Sequence, residues 1–166
     1  MNPELPERRE RRFANGEELR EVVGMLEKYE RGEINAEQFR VYRLTRGVYG
    51  QRQDDVQMLR IKSPQGILSG GQLRTLARVA REFSRGFGHV TTRQNVQFHF
   101  VRLHDVELAM RRLADAGLTT REACGNSVRN VTACPYAGVG ADELFDVTPY
   151  AEALTTNTND VRTLVP

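Results

Sequence analysis

The chain has 166 residues, 39% of them hydrophobic and 28% charged, with a formal net charge of +2. That length fits one domain, or one domain with an appendage, and is enough to bury a core. A charge this small does not by itself imply a polyanion partner; no run reaches membrane-spanning length and the charged N-terminus lacks a signal-like apolar region, so the expected compartment is the cytoplasm.

Met1 to Asn15 carries Pro3, Pro6 and a cluster of arginines, and is expected to be a mobile arm. From Gly16 the pattern turns helical, with Leu19, Val22, Val23, Leu26 and Tyr29 on one stripe. Arg31-Gly32 ends that helix. Asn35, with Gln38 three positions on, predicts a capped second helix through Phe39 and Tyr42. Gly47 and Gly50 mark a connection. Val56 to Lys62 alternates as a strand, with Val56, Met58, Arg60 and Lys62 on one side and Gln57, Leu59 and Ile61 on the other. Arg60 follows apolar positions on its own face, so it needs an acid or an anionic ligand beside it.

Ser69-Gly70-Gly71 opens an amphipathic helix, with Leu73, Leu76, Ala77, Ala80 and Phe83 inward and Arg74, Arg78, Arg81 and Arg85 solvated. Val90 to Val101 reads as the next strand. One face carries Val96, Phe98 and Phe100; the other carries Arg93, Asn95, Gln97 and His99. Strand, helix and strand place these segments in one sheet. A further helix begins at Asp105, with Val106, Ala109, Met110, Leu113 and Leu118 inward. The free sheet face then gathers Arg60, Lys62, Arg93, Asn95, Gln97 and His99, a basic and amide-rich set. Only Lys28 and Lys62 are lysines, and the arginine fork suits carboxylates and small oxyanions.

Cys124 to Val139 fits neither amphipathic period and reads as a shaped loop, with Asn126, Arg129 and Asn130 as donors. Two cysteines in a reducing compartment do not make a disulfide framework, and an iron–sulfur cluster usually takes four thiolates. Both are read as small buried thiols, and no metal site is expected. Asp142 to Leu154 reads helical, divided at Thr148-Pro149, and the polar, β-branched residues from Thr155 continue it poorly.

Three stretches together resemble the sirohaem-dependent nitrite and sulfite reductases: Met58-Leu59-Arg60-Ile61-Lys62 with Pro64 and Gly66; Thr91-Thr92-Arg93-Gln94-Asn95-Val96-Gln97-Phe98-His99; and Cys124-Gly125-Asn126 through Arg129-Asn130-Val131 to Cys134-Pro135 and Gly138. The resemblance implies an α+β fold, a ferredoxin-like β-α-β-α half domain with N-terminal helices and the start of a sirohaem/[4Fe–4S] domain. The divisions it implies are a helical extension over 1–50, the half domain over 51–119, the start of the reductase domain over 120–154 and a divergent or disordered tail over 155–166. It implies six-electron reduction of nitrite to ammonia or sulfite to sulfide, with ferredoxin or a flavoprotein as electron donor. Arg60 and Arg129 become contacts to the substrate anion and the sirohaem carboxylates. Arg93, Asn95, Gln97 and His99 face the macrocycle, with Lys62, Asn126 and Asn130 also cofactor-binding. The family's four cluster cysteines lie in a later segment, so the chain is expected to be the N-terminal portion of a reductase, inactive without its C-terminal half.

Two other readings follow from the same residues. One is a ferredoxin-like module for single-stranded nucleic acid, which needs aromatic rings on the open sheet face; Phe98 and Phe100 are expected to face the helices, and Tyr49, Tyr136 and Tyr150 to lie off the strands. No nucleic-acid partner is therefore expected. The other is a catalytically silent fragment that needs a partner half.

Overall fold

The computed structural model describes residues 16–124 and 128–160, so the arm expected over residues 1–15 lies outside the described residues. Helices α1 (Gly16–Glu30) and α2 (Ala36–Thr45) form where stripe and cap predict them. Asn35 Oδ1 accepts from the Gln38 N–H at 2.9 Å, and Gln38 Oε1 accepts from the Asn35 N–H at 3.0 Å. Two donors that a helix start leaves open are thereby satisfied. Tyr29 stacks on Phe39 with ring centroids 4.5 Å apart, joining the two helices.

A strand, β1 (Val48–Gly50), occupies the place where the sequence suggested only a connection. It is too short to show a period. It pairs antiparallel with β2 (Val56–Ile61), Val48 opposite Leu59 and Tyr49 opposite Met58. Helix α3 (Gly70–Phe83) starts at a second capping box, Ser69 with Gln72. It buries Leu76, Val79 and Ala80, whereas Leu73 is 53% exposed and Ala77 is exposed. The row at spacing three and four that meets the sheet is thus 76-79-80, rotated away from the predicted 73-77 edge. Arg74, Arg78, Arg81 and Arg85 are exposed as expected.

The predicted single strand from Val90 to Val101 is divided into β3 (His89–Val90) and β4 (Val96–Arg102). Residues 91–95 turn between them: the Thr91 N–H donates to Asn95 O at 2.8 Å, and the Gln94 N–H to Thr91 O at 2.9 Å. Sheet order is β1-β2-β4-β3. Both β2 and β3 run antiparallel to β4, so β2-α3-β3 is a parallel unit split by β4, as in ferredoxin-like folds.

Helix α4 (Val106–Asp115) buries Val106, Ala109, Met110 and Leu113. It packs beside α3, with α1 against it. These helices cover one sheet face and enclose Leu59, Ile61, Phe98 and Val101. The α+β, ferredoxin-like fold class predicted from sequence is the one observed.

One departure reshapes the sheet. Gln57 faces Val101 while Leu59 faces Phe98, so His99 and Phe100 together oppose Met58. This β-bulge shifts the alternation by one. Val101, fully buried, takes the core position that strict alternation gave to Phe100. Phe100 instead adopts φ +63°, gives its N–H to Gln51 Oε1 at 2.6 Å and lies 3.6 Å below the Arg85 guanidinium, a cation–π contact.

Helix α5 (Thr148–Asp160) begins with Pro149 in its first turn and packs near residues 64–66. Proline is well tolerated there, so Thr148-Pro149 starts this helix where the sequence suggested a division. Residues 142–147 are irregular, with a bend at 144–145, and the helix continues past Leu154. The Thr155 hydroxyl donates to Ala151 O at 2.8 Å, which accommodates one β-branched residue. No helix among the described residues is long and apolar enough to cross a membrane.

Candidate functional site

The sheet face away from α3 and α4 follows from the strand register, because residues directly opposite share a face. Arg60 pairs with Gln97, and Gln97 with His89. A neighbouring row contains Tyr49 and Met58, with His99 of the bulge. Gln97 Nε2 lies 3.6 Å from the Met58 sulfur, so the amide and thioether are in contact across the two strands. Beyond Ile61, Lys62 bridges to Thr119, which extends the sheet edge past Val48, the first residue of β1.

The segment after α4 then crosses the end of β2. Arg60 Nη1 donates to Ala123 O at 3.3 Å. Next to it, Cys124 is 1% exposed. Burial raises its thiol pKa, and the charges of Arg60 and Arg129 oppose that rise. Lys62 is also buried, with Nζ 3.7 Å from Glu122 Oε2. Burial lowers its pKa and Glu122 counteracts it. A buried ammonium is stable only with such a partner.

Two side-chain amides, those of Asn130 and Gln94, pin residues 130–133 to this end of the sheet, and that of Asn95 braces Ser63 beside them. Asn130 Nδ2 donates to Ser63 O and to Arg93 O, each at 2.8 Å. Asn95 Oδ1 accepts the Ser63 N–H at 3.1 Å, and Gln94 bonds the backbone of Ala133. Asn95 and Asn130 thus spend amide groups on the backbone, while Arg93 and Arg129 are exposed. Asn126 lies outside the described residues. Cys134 is exposed, against the expectation of a buried thiol.

Toward the other end, His99 Nδ1 meets Gln51 Nε2 at 3.4 Å, and its ring lies 5.0 Å from that of His89. Burial, then the nearby His89 and Arg60, lowers the His99 pKa. The imidazole is accordingly held toward its neutral form, able to donate at one nitrogen and accept at the other. Among the described residues, no three His, Cys, Asp or Glu side chains gather as a metal site.

Residues 49–116 match the family described as the nitrite/sulfite reductase ferredoxin-like half domain. That stretch is similar to a nitrite/sulfite reductase ferredoxin-like half domain. An assimilatory ferredoxin-dependent nitrite reductase of Haloferax mediterranei is 39% identical over 115 residues, covering 62% of this chain and 20% of that protein. A sulfite reductase [ferredoxin] of Mycobacterium tuberculosis is 43% identical over 91 residues, 55% of this chain and 16% of that protein. The solved structure of the Mycobacterium tuberculosis NirA protein superposes with a TM-score of 0.68 at 32% identity, covering 87% of this chain and 32% of that one. The chain therefore spans about a fifth or less of the length of these curated relatives.

Within the matched stretch fall Arg60, Lys62, Arg93, Asn95, Gln97 and His99; Arg129 and Asn130 follow it. The structure brings Arg60 and Gln97 side by side, sets His99 near them across the bulge, and draws the Arg129 loop to the same end of β2. Sequence reasoning missed Tyr49, Gln51, Gln94 and Glu122. A signal existed for Gln94, since Thr91-Thr92 and Asn95 around it are turn-forming types. Glu122 gave none, because its pairing with Lys62 spans 60 positions.

Proposed function

We propose that this chain supplies one wall of a sirohaem and oxyanion site in a nitrite or sulfite reductase of the cytoplasm, completed by further protein that holds a [4Fe–4S] cluster. The observation that carries this reading is the placing of Arg60 opposite Gln97 on a sheet face of amide and imidazole groups, with its guanidinium donating to Ala123 O beside buried Cys124. Sirohaem is ringed with carboxylates, and guanidinium forks with amide donors are the groups that bind them. Buried Ser63 Oγ and Asn130 Oδ1 have no hydrogen-bond partner among the described residues, which suits a site finished by a polar ligand. The donor set fits the macrocycle.

Bound there with its cluster, sirohaem would supply the electron transfer for six-electron reduction of nitrite to ammonia or sulfite to sulfide. Arg60 and Arg129 hold the anion and its developing charge. Arg93, Gln97 and His99 orient the macrocycle, and Asn95 and Asn130 fix the backbone that carries the arginines. Lys62 Nζ, with its pKa lowered, gives up a proton more readily than a solvated lysine and is suited to the proton demand of the reaction. The sequence has only Cys124 and Cys134 as thiols, so the four cluster ligands come from the completing protein. Ferredoxin, the donor in the names of the matched relatives, is favoured over a flavoprotein.

A single-stranded nucleic-acid module is the weaker reading. Phe98 is buried. Although Phe100 lies outside the core and Tyr49, 41% exposed, stands on a strand after all, one edge tyrosine is not a stacking platform. In a reductase completed with its cluster-bearing part, Arg60→Ala and Arg129→Ala are each expected to lower turnover about 10–100-fold, the size of one charged hydrogen bond. Unfolding free energy should change by no more than about 1 kcal/mol. Equal losses in turnover and stability, compared by steady-state kinetics and denaturant titration, would contradict these roles.

A further inference from the structure

Gln94 stands at the tip of the turn between β3 and β4 with φ +58°, a conformation unusual for a side chain of its type. Its carboxamide meets one backbone unit twice. Nε2 donates to Ala133 O at 2.7 Å and Oε1 accepts the Ala133 N–H at 3.2 Å. This is the exchange of two bonds that an antiparallel strand would make, performed by a side chain. Below it, Gly66 has φ +69°, and a Cβ there would lie 3.1 Å from Gln94 Cβ. Gln65, at φ +59°, gives its N–H to Val131 O at 2.9 Å.

The two exposed arginines are attached to this lattice of amides. Arg93 precedes Gln94, and its carbonyl accepts from Asn130; Arg129 precedes Asn130. Core packing does not account for Gln94, which is half-buried on the wall of an open cleft of about 460 Å³ shared with Gly66, Val96, Ala133 and Cys134. Backbone strain of this kind persists where the surroundings over-determine it, and it collects at functional sites.

We propose that Gln94 is a positioning residue: its clamp on Ala133 fixes where Arg129 stands relative to Arg93 and Arg60, and so sets the affinity of this face for a carboxylate-ringed macrocycle. The proposal rests on the sirohaem reading above.

The test compares the 166-residue chain with Gln94→Ala and Gln94→Glu. Glu keeps an acceptor for the Ala133 N–H and loses the donor to Ala133 O, and it serves alone if the alanine variant does not fold. The Ala133 amide should exchange with solvent about tenfold faster in Gln94→Ala, and the Kd for purified sirohaem, read by absorption, should rise about tenfold, the loss of one hydrogen bond's worth of order. Gln94→Glu should fall between, with Tm nearly constant across all three. Unchanged exchange overturns the proposal, and so does faster exchange with unchanged Kd, since the clamp would then be structural only. If the parent chain binds no sirohaem, the cofactor reading fails on its own. Backbone relaxation at Arg129 then decides the clamp: loosened in the variants it stands, unmoved it falls.

Discussion

Phe98→Ala is expected to remove about 3–5 kcal/mol of folding stability, the cost of emptying an aromatic-sized space in a packed core. Phe98 is 2% exposed, lies opposite Leu59, itself fully buried, and belongs to the cluster that includes Leu76, Val79 and Met110. Its ring also abuts the backbone at Gly88: a Cβ on Gly88 would come within 2.8 Å of Phe98 Cε1. That space cannot be refilled from the β3 side, because the nearest chain there is a glycine backbone. Stabilities of natural domains are about 5–15 kcal/mol, so this one substitution would consume much of the total. Phe100→Ala is the matched comparison. Two positions on in sequence but outside the core, it should cost far less. Denaturant midpoints for the two variants check the bulge directly, and equal losses would restore the simple alternation that the register excludes.

The second large effect is expected at Gly47. This residue has φ +75°, and a Cβ on it would lie 2.4 Å from Thr120 O and 2.7 Å from Arg60 O. Both are backbone atoms, so neither moves without moving a strand or the strap beside it. Gly47→Ala should cost about 2–6 kcal/mol, combining a left-handed alanine with an overpacked contact. The damage should also reach the site. Gly47 O accepts the Arg60 N–H at 2.9 Å, and the Thr119–Thr120 strap that it touches bridges to Lys62. Gly24→Ala is the control. A Cβ there meets nothing within 4 Å inside α1, so it should be neutral or stabilising by up to about 1 kcal/mol. Thermal unfolding of the pair separates a glycine that the packing requires from one that it does not.

The parts of the fold legible in the sequence were those written in local, repeated chemistry. The cap at Asn35, the helix start at Ser69, the stripe of α1 and the inward set of α4 could each be read within a dozen residues. What could not be read depended on long-range partners. Strand β1 is three residues long and exists because β2 pairs with it. The turn at 91–95 interrupts residues that alternate well enough to pass for strand, and it is held by Gln94, Asn95 and Asn130, of which the last lies in a distant loop. The bulge at His99–Phe100 needs Gln51 to take the freed N–H. At the site, residue types were legible because a free face of arginine, amide and imidazole is chemically distinctive. Their division of labour was not. Asn95 and Asn130 turn inward to the backbone, whereas Arg60 reaches the strap at Ala123 and Arg129 is exposed.

Whether this chain forms part of a sirohaem cradle without cluster ligands of its own is decided by one measurement. The 166-residue chain is produced together with the enzymes of sirohaem synthesis, purified, and its absorption spectrum recorded beside iron and acid-labile sulfide assays. The expected result is a sirohaem-type visible spectrum with bound iron and no sulfide. Folded, soluble protein with no chromophore, binding single-stranded RNA with a steep salt dependence instead, would contradict it.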